Sequence, residues 1–178
     1  IVGGKTIKLI AEKDPEKLPW KDLAIDIVIE STGFFASKEK ASAHITAGAK
    51  RVVISAPVKG GDVPTFVNGV NDDALKSEKA AVINHASCTT NCVAPVTAIL
   101  EEAFGIEKAI MTTVHGYTAS QALVDGPSKK DFREARAAAE NMVPTTTGAA
   151  IAVTQIIPSL VGKFDGLSIR VPVPVVSI

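Results

Sequence analysis

Residues 80–100 read AAVINHASCTTNCVAPVTAIL, and this stretch decides the fold. Ala80 to Asn84 has the apolar, β-branched character of a short strand. From Val93 onward the pattern is helical: Val93, Val96, Leu100 and Phe104 share one face, and Gly105 supplies a stop. Pro95 falls near the first turn, where a proline is tolerated or bends the axis. Between strand and helix lies His85-Ala86-Ser87-Cys88-Thr89-Thr90-Asn91-Cys92, a junction rich in hydroxyls and thiols.

The same strand–helix rhythm precedes the junction. Ala24 to Glu30 is almost continuously apolar and ends at Ser31-Thr32-Gly33. A helix is predicted from Ser37 to Ala47 with Gly48 as its stop, and Arg51 to Ala56 is a second apolar run closed by Pro57. Such runs predict an α/β fold with a parallel sheet covered on both faces. Thr6 to Ala11 and Thr65 to Gly69 are predicted as further strands, with a loop over Lys59 to Pro64. Downstream, Ile106 to His115 reads as a strand, and Gly116 to Asn141 as mostly irregular with a helix signal near Arg133. Thr147-Gly148 opens a helix that stops at Pro158, and Leu167 to Val171 begins a new strand. Val173 to Ile178 is strand-like as well. Both termini fall inside patterned runs, so the chain is expected to be an internal part of a longer protein and inactive by itself.

Composition narrows the class. Of 178 residues, 46% are hydrophobic and 21% charged, which suits a packed soluble protein. Nineteen basic residues balance nineteen acidic ones, so no overall field implies a nucleic acid or an anionic membrane as partner. No apolar run approaches the roughly 20 residues that span a bilayer. Two cysteines imply a reducing compartment, and the cytoplasm is the expected location. The histidines and cysteines are too few and badly spaced for a metal site.

Cys88 is the first candidate for chemistry. A strand-to-helix junction offers free backbone N–H groups and the positive end of a helix dipole. A thiolate is stabilised there, and Ser87, Thr89 and Thr90 add donors suited to an oxyanion. The competing reading is a buried cysteine that merely starts a helix. Cys92, one turn further, reads as helix packing; the spacing lacks a C-x-x-C redox pattern. His44 sits in a surface-helix pattern and reads as solvated or packed, and His85 reads as a turn residue. His115 closes a strand, where functional side chains of open sheets gather. A cysteine nucleophile needs a base nearby in space, so His115 is the expected partner, with a structural histidine as the alternative.

Three further places suit an anion. Thr145-Thr146-Thr147-Gly148 opens a helix with hydroxyls and free amides, or is an ordinary cap. Thr118 follows His115 by three. Arg170 stands alone among apolar residues and needs a carboxylate or phosphate partner unless it faces water. Gly3-Gly4 and Gly60-Gly61 are not nucleotide fingerprints, because no G-x-G-x-x-G follows a strand.

The strings ASCTTNC, TTVHGYT, DGPS, PTTTGAA and IRVPVP occur in that order, with ESTGFF, HITAGAKRVVISAP and FVNGVN ahead of them. Together they closely resemble the phosphorylating glyceraldehyde-3-phosphate dehydrogenases, over essentially the whole chain. The resemblance implies the C-terminal part of a Rossmann-type parallel-sheet NAD-binding domain over 1–87, then the first part of an α+β catalytic domain over 88–178. It implies NAD as cofactor, glyceraldehyde 3-phosphate and inorganic phosphate as substrates, and a homotetramer. Cys88 would be the nucleophile and His115 the residue that activates it and then handles the proton. Thr118 and Arg170 match positions that hold the substrate's phosphate; Ser87, Thr89, Thr147 and Gly148 match those around the substrate and the attacking phosphate. Thr32, Gly33 and Ser55 match strand-end positions of the dinucleotide site. Pro127 in DGPS resembles the NAD-using members.

Some residues depart from the pattern. Asn84-His85 replaces Ser-Asn, Val175 replaces an asparagine, and Glu134 stands where many members carry a second arginine, leaving Arg133 and Arg136 as candidate phosphate-loop cations. The alternatives are an erythrose-4-phosphate dehydrogenase of the same layout, a cofactor-free cysteine–histidine acyl hydrolase, and a non-catalytic binding protein on the same fold.

Overall fold

The computed structural model describes residues 1–58, 63–128 and 131–178. The loop predicted over Lys59 to Pro64, with Gly60-Gly61, lies mostly outside the described residues. The chain divides into two compact units: Ile1–Pro64 with Lys79–Asn84, and Thr65–Glu78 with His85–Ile178.

In the first unit, β1 (Ile27–Glu30), β2 (Arg51–Ile54) and β3 (Val82–Asn84) form a parallel sheet in that order. Helix α1 (Lys38–Thr46) joins β1 to β2. Ser37 caps it by accepting a hydrogen bond from the Lys40 amide at 3.2 Å, as its place before a charged first turn predicts. Gly48 ends it at φ +108°, and a Cβ there would stand 2.6 Å from the Cβ of Lys21, so glycine is required twice over. The fully buried Ala41 lets α1 sit close on Val28, Val52, Ile54 and Val82. Coverage is one-sided along β1: Val28 and Glu30 are buried, whereas Ile27 and Ile29 are exposed. The expectation of two covered faces is therefore corrected for this strand.

Thr6 to Ala11 forms no strand. Ile7 and Leu9 are exposed, and among the described residues no strand offers them a ladder; extended sequence character cannot satisfy backbone groups without a partner.

The second unit holds α2 (Asp72–Ser77), α3 (Cys88–Phe104), β4 (Ala109–Gly116), β5 (Val143–Thr145), α4 (Ala149–Ile156) and β6 (Phe164–Val171). The sheet order is β4-β6-β5, with β4 parallel and β5 antiparallel to β6. Val67, Ala86, Ala94, Val153, Ile156 and Leu160 make its core. Helix α3 turns Thr90, Ala94 and Thr97 inward, at the i, i+4, i+7 spacing of one stripe. Val96, Leu100 and Phe104, on the apolar face read from sequence, are exposed. Small inward residues allow close approach, and the bulkier face is left outside. Glu101 ties the end of α3 to its surroundings, accepting from Ser159 Oγ and from the Ile106 amide, both at 2.7 Å.

Three other expectations are corrected here. Thr65 to Gly69 forms a turn region rather than a strand: Asn71 closes it, donating to the Thr65 carbonyl and accepting from the Val67 amide, both at 2.9 Å. The helix signal near Arg133 is a short 3-10 turn, Phe132–Ala135. Val173 to Ile178 makes only an isolated antiparallel bridge, Ser177 to His115. Pro172 and Pro174 deny it a continuous donor row.

Buried polar groups anchor the C-terminal end of β1. Glu30 points into the first unit, where its Oε2 lies 2.9 Å from His44 Nε2, and the Trp20 indole N–H donates to His44 Nδ1 at 3.1 Å. An indole N–H only donates, so Nδ1 is bare, the proton sits on Nε2, and His44 is neutral beside an ionised Glu30. His44 is thus packed and not solvated. The Thr32 amide donates to Glu30 Oε1 at 2.7 Å, and the Thr32 hydroxyl donates to the same oxygen. Burial pushes the Glu30 carboxyl up, but the Thr32 hydroxyl, His44 and the Thr32 amide together pull it below its ordinary value of 4.5.

A depressed folded value makes the stabilisation by ionised Glu30 complete above the ordinary value and lost as the pH falls through the lower one. Chemical denaturation followed by circular dichroism should therefore show wild-type stability declining below about pH 4.5, and a Glu30→Gln variant declining less over that range. Parallel profiles for the two proteins would contradict this.

Candidate active site

Helix α3 begins at Cys88 itself. Ser87 is its cap: Ser87 Oγ accepts from the Thr90 amide at 3.0 Å and pairs with the Thr90 hydroxyl at 2.8 Å. Ala86 just before it is buried at φ +56°, a left-handed turn that a non-glycine residue adopts only when its surroundings hold it there. Asn91 supplies that hold, donating through Nδ2 to the carbonyls of His85 (2.7 Å) and Ser87 (2.9 Å). The sequence reading did not single out Asn91, although an amide within one turn of a helix start is a usable capping signal.

His115 lies next to the last position of β4, and its Nε2 is 3.6 Å from Cys88 Sγ. Cys88 is exposed and His115 half-buried, so the sulfur is reachable from solvent. The parallel register sets Arg170 of β6 opposite His115. Arg170 Nη1 stands 2.6 Å from His115 Nδ1 and 3.3 Å from the Gly116 carbonyl, while Nδ1 is itself 2.7 Å from that carbonyl. Cys88, His115 and Arg170, predicted from three separate stretches, come together.

The other predicted residues are placed as follows. Thr118 is exposed; its amide and hydroxyl both donate to Gln121 Oε1, and its hydroxyl pairs with Ser120. Thr147 Oγ1 accepts from the Ala149 amide at 3.2 Å, and Gly148 is the cap position of α4, with open space where a Cβ would stand. Thr89 lines a small cleft of about 170 Å³ with Cys92 and Met111. Cys92 is exposed, which corrects its assignment to helix packing. Arg133 is paired to Asp131 at 2.6 Å and Arg136 to Asp125 at 3.1 Å. Both guanidiniums are already neutralised, which weakens the expectation that they serve as phosphate-loop cations.

In the first unit, Thr32 and Gly33 follow β1, and Ser55 follows β2. The Ser55 hydroxyl donates to the Glu30 carbonyl at 3.1 Å, so Thr32 and Ser55 both spend their hydroxyls on this strand end. Gly33 adopts φ +77° with nothing within 4 Å of a Cβ position. Beside it opens a largely apolar cleft of about 570 Å³, lined by Pro15, Leu18, Thr32, Phe34 and Phe35 among others. An apolar cleft at the carboxyl ends of parallel strands suits the flat ring of a nucleotide.

Comparison with known proteins agrees along the whole chain. The family model described as the C-terminal domain of glyceraldehyde 3-phosphate dehydrogenase matches residues 87–178, and that of its NAD binding domain matches residues 1–38. The glyceraldehyde-3-phosphate dehydrogenase B of Aspergillus oryzae is 55% identical over 178 residues, all of this chain and 52% of the relative. The Clostridium pasteurianum enzyme is 56% identical over 179 residues, covering 100% and 53%. The chloroplastic form B of Pisum sativum is 55% identical over 177 residues, covering 99% and 39%. The chain spans about half the length of most of the curated relatives it matches.

Ser87→Ala should lower stability by about 1 to 2 kcal/mol, the typical value of a helix cap, because it also strands the buried Thr90 hydroxyl. A denaturation midpoint equal to wild type would show that Ser87 is not needed to start α3.

Proposed function

Because this chain belongs to the glyceraldehyde-3-phosphate dehydrogenase family, we propose that it carries the reacting cysteine of a phosphorylating aldehyde dehydrogenase. The reaction is the glycolytic oxidation of D-glyceraldehyde 3-phosphate to 1,3-bisphosphoglycerate. The supporting observation is the 3.6 Å approach of Cys88 Sγ to His115 Nε2 at the open start of α3.

Cys88 adds as thiolate to the aldehyde carbon, and the backbone donors at the start of α3 steady the oxygen that becomes negative. His115 takes the hydroxyl proton of the resulting thiohemiacetal. NAD, when bound, supplies the hydride acceptor, and Thr32, Gly33 and the cleft beside Phe34 and Phe35 are the residues of this chain that would hold it. The thioester left on Cys88 is then open to attack by inorganic phosphate, so that oxidation and phosphoryl capture are two separate steps. Arg170 and Thr118 hold the phosphate of the aldehyde substrate, and Ser87, Thr89, Thr147 and Gly148 border the attacking phosphate. The working form is a homotetramer in the cytoplasm. Both cysteines are unbridged, in keeping with a reducing compartment.

With the complete protein, glyceraldehyde 3-phosphate, NAD and phosphate, the absorbance of reduced nicotinamide should rise. Cys88→Ser should cut kcat by at least about a thousandfold, and His115→Asn by roughly 10² to 10⁴. Faster turnover of erythrose 4-phosphate would reassign the substrate, and thioester chemistry without nicotinamide would sink the dehydrogenase reading.

A further inference from the structure

Asn68 and Gly69 form an exposed pair between Val67 and Val70, both of which pack in the core of the second unit. The Val70 amide donates to the Val67 carbonyl at 3.1 Å, and φ is positive at Gly69 (+78°) but not at Asn68, so the four residues make a type II turn. Of the chain's asparagines, Asn68 alone precedes a glycine. The others spend their side-chain amides on backbone carbonyls: Asn71 on Thr65, Asn84 on Val63, Asn91 on His85 and Asn141 on Ala137. Asn68 makes no such bond among the described residues.

An asparagine followed by glycine can react with its own backbone. The glycine nitrogen has no Cβ beside it, so it is the least hindered amide nucleophile a chain offers. Its attack on Asn68 Cγ forms an N–C bond and breaks the bond from Cγ to Nδ2. The Gly69 amide proton leaves with Nδ2 as ammonia, and a five-membered succinimide remains. Water then opens either carbonyl of the ring, which leaves an aspartyl residue or its β-linked isomer at position 68. The sequence of steps consumes only water.

Two features of the fold oppose that ring closure. In a type II turn the ψ of the second residue is about +120°, whereas closure needs the opposite sense, that of the mirror-image II′ turn. The Gly69 amide also donates to both carboxylate oxygens of Asp72, at 3.0 and 3.1 Å. The nitrogen must shed that proton to attack, and a neighbouring carboxylate disfavours the negative charge that forms. We infer that Asn68-Gly69 is a latent self-modification site of this chain, and that Asp72 is the latch that keeps it from reacting. The β-linked product adds a backbone carbon to the turn between Val67, which is 1% exposed, and Val70. Conversion therefore loosens an anchor of the second unit's core, and it uses none of the groups assigned to the aldehyde chemistry.

Storage of the complete protein in mildly alkaline buffer tests this, with peptide mapping by mass spectrometry and ammonia release followed together. A synthetic peptide of residues 63–73 gives the unlatched rate. The native protein should convert at least about tenfold more slowly than the peptide, the worth of one hydrogen bond to a charged group. Asp72→Ala should remove most of that gap, and Asp72→Asn, which keeps an acceptor without the charge, should fall between. Asn68→Gln, whose ring would have six members, should abolish conversion at this position. Native protein that ages at the peptide's rate, or an alanine variant as slow as wild type, overturns the inference. Should Asp72→Ala fold poorly, Asp72→Asn against wild type decides, and equal rates refute the latch. Converted protein, once separated, should unfold at a lower denaturant concentration than unconverted protein; equal midpoints would refute the loosening of the core.

Discussion

The register between β4 and β6 is the constraint on which the site depends. Eight consecutive residues pair in parallel, Ala109 with Phe164 through Gly116 with Val171, and this places His115 beside Arg170. Side chains alternate along a strand, so a slip of one residue would send one of the two to the opposite face. The bridge from Ser177 to the free edge of β4 fixes the strand from the other side, with Val114 and Ile178 exchanging hydrogen bonds of 2.7 and 2.9 Å. Gly116 belongs to the same constraint. A Cβ there would stand 2.9 Å from the Val173 carbonyl, so the C-terminal stretch can close over β4 only because no side chain intervenes.

The thiol side of the site answers to a different element. Helix α3 starts at Cys88 because Ser87 caps it and Ala86 is held in a left-handed turn. The two halves meet with sulfur and imidazole facing each other, and neither strand register nor helix cap alone could produce that. This is why a single-residue reading of Cys88 or of His115 left the structural alternative open, while the pair within reach of one another carries chemical meaning.

Much of the fold was legible in the sequence where a local rule has no competitor. Gly48 and Gly105 marked helix ends because their backbone angles exclude side chains, and Ser37 marked a start because its hydroxyl is the cap. Extended segments were harder. Thr6 to Ala11 has strand composition but no ladder, and Thr65 to Gly69 is closed by the Asn71 amide; in both, the deciding partner is remote or is a side chain that periodicity does not register. At the site, Cys88, His115 and Arg170 were visible as residue types at strand and helix ends. The contact between Arg170 and His115 Nδ1 was not, because it arises from β6 pairing 55 residues away. Likewise the carboxylate that occupies Arg136 emerges only once the irregular stretch folds back, for Asp125 lies 11 residues before it.

Trp20 is the chain's one tryptophan, and its indole is hydrogen-bonded to His44, which holds Glu30, which holds Thr32 at the end of β1. Any event that disturbs Thr32 is therefore linked by three hydrogen-bonded steps to the chain's one indole. The first unit thus ties its one indole to the end of β1 through a buried imidazole and a buried carboxylate, so that Trp20 can serve as an optical reporter on that strand end.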